Sequence, residues 1–250
     1  LLAVACAANV GSAATLIGNP QNILIGQALH VSFSRYLFLA GIPSLIGLFM
    51  TWAVIAYRFN GRWENGVEGY EPPSEEFVPW NPWQSAKALF MTSILFIAFL
   101  ATPLPRDITA LGAAGLLLMS RKMHSRDMLG LVDWQILVLF CGLFVVNHAF
   151  ALTHVPEHVV ACLTEFGIDP GRPAWLFGIT ALLSNAVSNV PAVMLLLPLA
   201  HHPLAGPVLA LSSTLAGNLF IVGSIANIIV VESAAQHGIF IGWREHAPTG

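Results

Sequence analysis

Charge is what this sequence has least of. Its 250 residues hold 10 Lys and Arg and 13 Asp and Glu, so 9% are charged, against roughly 25% in an average soluble domain. That deficit excludes an ordinary water-soluble protein. With 56% hydrophobic residues, the chain reads as an integral membrane protein. A formal net charge of −3 lacks the basic footprint that nucleic acid requires, so no such partner is expected. Cysteine is scarce too. Cys6, Cys141 and Cys162 are scattered, form no C-x-x-C pair, and suggest neither a disulfide framework nor a zinc site. They read as small apolar fillers. G-x-S-x-G, the P-loop and the nucleotide-binding glycine motif are all missing, so nothing points to covalent catalysis or to ATP hydrolysis within the chain. The chain begins in mid-hydrophobic run without a basic n-region, which argues against a cleavable signal peptide. The expectation is a fragment, truncated at both ends.

What the sequence has in quantity is apolar runs. A membrane span needs about 20 such residues. Tyr36 to Tyr57 is uncharged and carries an aromatic residue at each end, like an interfacial belt. Further apolar segments are Ala88 to Pro103, Ile108 to Ser120, Asp133 to Leu152, Ala174 to Ala200 and Val208 to Ala235. Val155 to Gly167 reads as an amphipathic interfacial segment, and the Pro-rich stretch Arg58 to Lys87 as an irregular linker. Arg58, Arg62, Lys87, Arg121, Lys122 and Arg126 fall on one side of the predicted spans; Arg35, Arg106 and Arg172 fall on the other. The positive-inside rule places the first group, and hence the linker, in the cytoplasm.

Three of the apolar runs are interrupted. "AANVGSAATLIGNPQNILIG", from Ala7, places Asn9, Gly11, Gly18, Asn19, Pro20 and Asn22 within apolar flanks. "SSTLAGNLFIVGSIANIIVVESA", from Ser212, has the same layout at an offset of 205 residues: Gly18 meets Gly223, Asn22 meets Asn227 and Ile23 meets Ile228. "LLSNAVSNVPAVMLLLP", from Leu182, holds Ser184-Asn185, Ser188-Asn189 and Pro191. Because Pro191 disfavours helix at Val190, this segment is predicted to be a re-entrant hairpin with Ser188-Asn189 at its tip. Non-helical backbone cannot face lipid, since each unsatisfied group costs several kcal/mol. Paired interruptions are the sequence pointer to a transporter built from two repeats. Broken helices offer helix ends and freed carbonyls to an ion.

Four stretches carry a resemblance: "ANVGSAATLIGNPQNILIG", "VDWQILVLFCGLFVV", "SNAVSNVPAVMLLLP" and "STLAGNLFIVGSIANIIVVESA". They resemble the ion transporter superfamily of arsenite permeases, citrate and dicarboxylate carriers, and NhaD-type sodium–proton antiporters, closest to arsenite-permease-like anion transporters. The resemblance implies an all-α inverted-repeat secondary transporter with broken helices and a re-entrant hairpin, multi-pass in the inner (plasma) membrane. Residues 1–57 would close the first repeat, 58–87 would be the cytoplasmic linker, and 88–250 the second repeat, with its hairpin at 174–200 and broken helix at 208–235. Carried over by position, one site would use Asn9, Gly11, Thr15, Gly18, Asn19 and Asn22. The other would use Ser184, Asn185, Ser188, Asn189, Thr214, Gly217, Asn218, Gly223 and Asn227. Sodium would sit at Ser188, Asn189 and Asn218. Carboxylate carriers of the superfamily have Ser-Asn-Thr at the hairpin tip; here Val190 replaces the threonine, which counts against sodium coupling and a dicarboxylate.

The expected activity is transport of a small anion, arsenite or another inorganic or organic anion, driven by a proton or sodium gradient. A sodium–proton antiporter of the same fold is the alternative. No resident cofactor is expected, only the coupling ion; a homodimer and a separate ATPase subunit are the partners the resemblance allows. An enzyme is the rival from another class. "HVPEH", His154 to His158, matches the H-x-x-E-H metalloprotease pattern, yet Pro156 interrupts the helix that would align its ligands. Other polar residues have plainer readings. His201-His202 reads as a solvated turn, His148 as a neutral hydrogen-bonded histidine, Asp107 as a helix cap, Asp133 and Trp134 as interfacial. Glu232 reads as a proton carrier or a surface group.

Overall fold

The computed structural model describes residues 1–60, 81–119, 129–130, 132, 134–153 and 155–250. All regular structure among them is helical. Packing divides the chain into two compact units, residues 1–60 with 141–250, and residues 61–140.

In the first unit, α1 (Leu2–Ser12) and α2 (Pro20–Ala28) flank a non-helical stretch. The second helix starts where local chemistry favours it. Asn19 caps it by accepting the Asn22 N–H, and Pro20 occupies the first turn, where its missing N–H costs nothing. Next comes α3 (Phe33–Arg58), 26 residues with Pro43 inside. At 1.5 Å per residue it is ~39 Å long, enough to cross a bilayer core of about 30 Å. Phe38, Leu45, Phe49 and Trp52 are each more than 60% exposed on it, a large apolar surface that water disfavours and lipid accepts.

The second unit pairs α4 (Pro82–Ala101) with α5 (Arg106–Leu118). The first of these is capped by Asn81, which accepts the Gln84 N–H, with Pro82 in the first turn. It therefore starts six residues before the predicted span at Ala88, inside the expected linker. Asp107 lies within the first turn of α5 rather than at its cap, which is Pro105; the carboxylate still favours the positive end of the helix dipole. Then follow α6 (Trp134–Ala151) and α7 (Val155–Glu165). Residues 61–80, 120–128, 131, 133 and 154 lie outside the described set, and with them Arg62, Arg121, Lys122, Arg126, Asp133 and His154.

From residue 141 the chain belongs to the first unit, so α7 lies in it together with the remaining helices. They are α8 (Pro173–Val187), α9 (Asn189–Leu196) with a 3-10 turn at Leu197–Leu199, α10 (Ala205–Ala216), α11 (Ile225–Gln236) and α12 (Trp243–His246). The stop between α8 and α9 is at Ser188, with φ 87° and ψ 158°. Val190 is helical, contrary to the reading of Pro191 as a local breaker. Pro191 is the third residue of α9, where a helix N–H has no intrahelical partner to lose. The core is built around α8, α10, α1 and α3. Small buried residues such as Ala5, Cys6, Ala13, Ala40, Ala192 and Ala210 let these helices approach closely. Cys141 and Cys162, by contrast, are exposed.

One contact tests this packing. A Cβ on Gly47 of α3 would lie 2.8 Å from Val10 Cγ1 on α1, whereas a Cβ on Gly41 would meet nothing within 4 Å. Gly47→Leu is expected to cost about 1–3 kcal/mol through overpacking and to lower the unfolding midpoint in detergent. Gly41→Leu should leave it unchanged. Equal midpoints for the two variants would show that α1 does not rest on α3.

Candidate functional site

The two interruptions flanked by helices are residues 13–19, between α1 and α2, and residues 217–224, between α10 and α11. Each frees main-chain carbonyls in apolar surroundings, and in each an asparagine amide satisfies them. Asn22 Nδ2 donates to the carbonyls of Ser12 (3.3 Å) and Thr15 (2.9 Å). Asn227 Nδ2 donates to those of Gly217 (2.9 Å) and Phe220 (3.2 Å). All three residues of the first set map onto the second by the 205-residue offset. So do the caps, because Asn19 accepts the Asn22 N–H and Ser224 the Ala226 N–H.

The glycines obey the same correspondence. A Cβ on Gly18 would collide with the Ser12 carbonyl, and one on Gly223 would lie 2.9 Å from the Gly217 oxygen. Glycine is required at both by close main-chain approach. A further carbonyl in each break is met from the helix that follows. Tyr36 Oη donates to the Ala13 oxygen at 2.8 Å, and His246 Nε2 lies 2.8 Å from the Asn218 oxygen.

The breaks are also bonded to one another. Ser224 Oγ donates to Asn9 Oδ1 at 2.5 Å, and Asn19 Nδ2 donates to Thr214 Oγ1 at 3.0 Å. Residues 9 and 214, and 19 and 224, are again 205 apart, so the same link is made twice, once in each direction. Asn9 Nδ2 adds bonds to Asn218 Oδ1 (2.8 Å) and Asn227 Oδ1 (3.2 Å). The correspondence ends there. Thr214 stands at the place of Asn9 but carries no amide, and Asn22 Oδ1, the counterpart of Asn227 Oδ1, is buried without a partner among the described residues.

The α8–α9 junction meets the second break. Ser184 Oγ is within hydrogen-bond reach of Asn189 Oδ1 and of the Ser213 carbonyl, the latter at 3.1 Å. A Cβ on Gly217 would lie 3.2 Å from Asn189 Nδ2, and one on Gly223 would lie 3.3 Å from Asn185 Oδ1. That Asn185 oxygen is buried and has no partner among the described residues. Near the end of α9 a cavity of about 350 Å³ opens against the turn after α2, lined by His30, Ser32, Arg35 and His202 among others.

The residues singled out in the sequence thus fall into four groups, with Gly11 and Ser188 outside them. Asn9, Asn218 and Asn227 converge, as do Asn19 and Thr214. Ser184, Asn185 and Asn189 converge with Gly217 and Gly223. Asn22 and Gly18 shape the first break, to which Thr15 contributes its carbonyl. Gly11 stands apart, with open space around it. Ser188 is exposed and contributes the backbone turn between α8 and α9. Sequence reasoning missed Ser12, Gln21, Ser224, Tyr36 and His246. Ser224 was within reach as the offset partner of Asn19. Tyr36 and His246 were not, because each is the fourth residue of the helix after a broken pair and their separation is 210 residues rather than 205. Elsewhere His148, His158, His201, His202 and Glu232 are exposed. Among the described residues no group of three His, Cys, Asp or Glu converges to hold a metal.

Comparison with known proteins gives these features a setting. The profile of the citrate transporter family, CitMHS, matches residues 1–216. A 46 kDa membrane protein of Mycobacterium leprae (strain TN) is 28% identical over 100% of this chain and 63% of its own length. The uncharacterized transporter MT2759 of Mycobacterium tuberculosis (strain CDC 1551 / Oshkosh) is 28% identical over 98% of this chain and 61% of its own. The inner membrane protein YbiR of Escherichia coli (strain K12) is 30% identical over 97% of this chain and 59% of its own. The chain spans about three fifths of the length of the curated relatives it matches. Helices with exposed apolar faces, two broken pairs bonded to each other, and a family match over most of the sequence lead to one conclusion: this membrane chain belongs to the citrate transporter family.

Proposed function

We propose that the chain is the binding-site portion of a secondary active transporter for a small anion, multi-pass in the inner (plasma) membrane, working by alternating access. The observation that carries this is the doubled link between the breaks, Ser224 to Asn9 and Asn19 to Thr214. When residue i bonds j′ and its counterpart i′ bonds j, the two segments are related by an approximate two-fold axis. Two broken helices related in that way are the arrangement of an inverted-repeat transporter, with its solute at the breaks.

The α8–α9 pair acts as a re-entrant hairpin in this reading. The charge pattern puts Arg35 and Arg172 on one face, and the cavity at His30, Arg35 and His202 sets the exit from α9 beside the turn after α2. A chain that enters after Arg172 and returns to that face at Ala200 has not crossed. Its junction delivers Asn185 and Asn189 to the second break. The solute would be held by neutral donors: the amides of Asn9, Asn189 and Asn218 and the hydroxyls of Ser184 and Thr214. Such a set suits a small oxyanion or carboxylate, and citrate is the first cargo to try. Arsenite is the second. A proton gradient is the driving force proposed first. One observation favours a sodium-coupled reading instead: the Asn185 oxygen, buried without a partner among the described residues, faces Gly223 of the second break, where unwound backbone offers carbonyl oxygens of the kind that coordinate sodium in such transporters.

The test is uptake of labelled citrate and arsenite by the full-length protein in proteoliposomes, with pH and sodium gradients imposed separately. Asn189→Ala and Asn218→Ala should each abolish uptake, while His158→Ala should retain it. Normal uptake by both asparagine variants would remove the site; uptake lost only with His158→Ala would point to the enzyme reading.

The glycines supply a second test. Gly18→Ala and Gly223→Ala each place a methyl group against a main-chain carbonyl, which flexible side chains cannot relieve. Both are expected to lose uptake and lower the unfolding midpoint, while Gly11→Ala leaves both readouts unchanged. If only one of the two responds, the breaks are not equivalent.

A further inference from the structure

We propose that His246 is a proton-binding residue of the second break, and that its protonation is linked to anion binding there. The inference rests on the transporter reading above and adds to it a residue outside the interrupted segments.

Four observations carry it. His246 is 0% exposed. Its Nε2 lies 2.8 Å from the Asn218 carbonyl, and a carbonyl only accepts, so Nε2 bears a hydrogen. Its Nδ1 is buried with no partner among the described residues. Finally, it stands where the first half of the molecule has Tyr36. Each is the fourth residue of the helix after a broken pair, and each donates to a break carbonyl, of Ala13 or of Asn218, at 2.8 Å. A tyrosine does this task without changing charge near neutral pH. Histidine is the side chain whose charge changes between about pH 5 and 8. The second break is thus capped by a group that can take up a proton at Nδ1, while the first is not.

The surroundings set the sign of the linkage. The 217–224 break and α1 carry no charged side chain, and α1 contributes only the Cys6 thiol, whose residue's carbonyl accepts from Asn218 Nδ2. At the end of α3, Arg58 donates to Thr249 Oγ1 at 2.8 Å. On α12 itself are Arg244 and Glu245, and Glu245 accepts the Gly242 N–H at 2.8 Å. Glu232 on α11 is exposed. Among the described residues no carboxylate bonds to the His246 ring, so a bound anion would supply the counter-charge of a buried imidazolium. Protonation also strengthens the hydrogen bond to the Asn218 oxygen, since a charged donor bonds more strongly than a neutral one. Proton and anion then favour each other's binding, and by linkage the effect is reciprocal. Anion affinity rises as pH falls.

The experiment uses full-length protein in two arms. In the first, histidine is ¹⁵N-labelled and the imidazole signals are followed by NMR in micelles from pH 5 to 8. The His246 signal is the one lost in His246→Gln, whose amide keeps a donor for the Asn218 oxygen but does not titrate. In the second, citrate/citrate exchange and pH-driven citrate uptake are measured in proteoliposomes for the parent protein, His246→Gln and His246→Tyr. The NMR measurement is made with and without citrate, and the expected result is a His246 signal whose second proton is gained more readily with citrate present than without it. In both variants, citrate movement should lose most of the roughly tenfold dependence per pH unit that one bound proton gives, whatever its absolute rate. A His246 signal that keeps one proton throughout overturns the proposal. So does a His246→Gln protein that keeps the parent's pH profile. Should no citrate or arsenite move under any gradient while His246 titrates, the proton site stands and the transport reading falls.

Discussion

Main-chain carbonyls released where a helix stops, in surroundings too apolar to hydrate them, impose the constraint on which the first unit depends. Each must find a donor inside the protein. Asparagine meets this need well, because one terminal amide nitrogen carries two hydrogens and can serve two carbonyls at once. Asn22 and Asn227 do this in the two breaks. Without them the non-helical stretches would leave paired acceptors unsatisfied, each costing about 1–3 kcal/mol. The glycines follow from the same geometry, since folding the chain back far enough for one amide to reach two carbonyls brings residue 18 onto the carbonyl of residue 12, and residue 223 onto that of 217.

Satisfying the breaks locally leaves other polar atoms for use between them. Asn9 is the hub. Its oxygen accepts from Ser224 and its nitrogen donates to Asn218 and Asn227. The opposite position, Thr214, receives Asn19 and Gln21 on a single hydroxyl oxygen. The two breaks are held as one polar body inside a shell of small apolar residues. What differs between the halves is informative. The half with Thr214 leaves Asn22 Oδ1 without a donor among the described residues, and it brings the His246 imidazole where the other half has the Tyr36 phenol. The pair is thus chemically asymmetric on a nearly symmetric backbone.

Much of this was legible in the residues. The shortage of charge and the apolar runs decided membrane class and helical fold, because only a lipid-facing surface can be so poorly charged. The paired Gly-x-x-x-Asn-Ile segments marked both breaks, because turn residues inside apolar flanks have few physical uses. The 205-residue offset related them before any coordinates did. Helix starts were less accessible. Asn81 and Pro82 begin α4 inside a stretch that reads as linker, because a cap is a local signal easily lost among neighbouring prolines. Pro191 was read as a breaker, although its effect depends on its position in the helix, which the sequence does not display.

What tertiary structure alone decided is who bonds to whom. Nothing in the spacing of Asn9 says that it reaches Ser224 rather than solvent, nor that Asn19 and Thr214 make the reciprocal link, because both bonds join residues about 200 positions apart and depend on how four helix ends are set against each other. Tyr36 and His246 are the clearest case. The five residues by which their separation exceeds the repeat offset hide the relation from any fixed-offset comparison. The break carbonyl of Ala13 or Asn218 reveals it, since a buried acceptor must be met by whatever side chain the following helix brings.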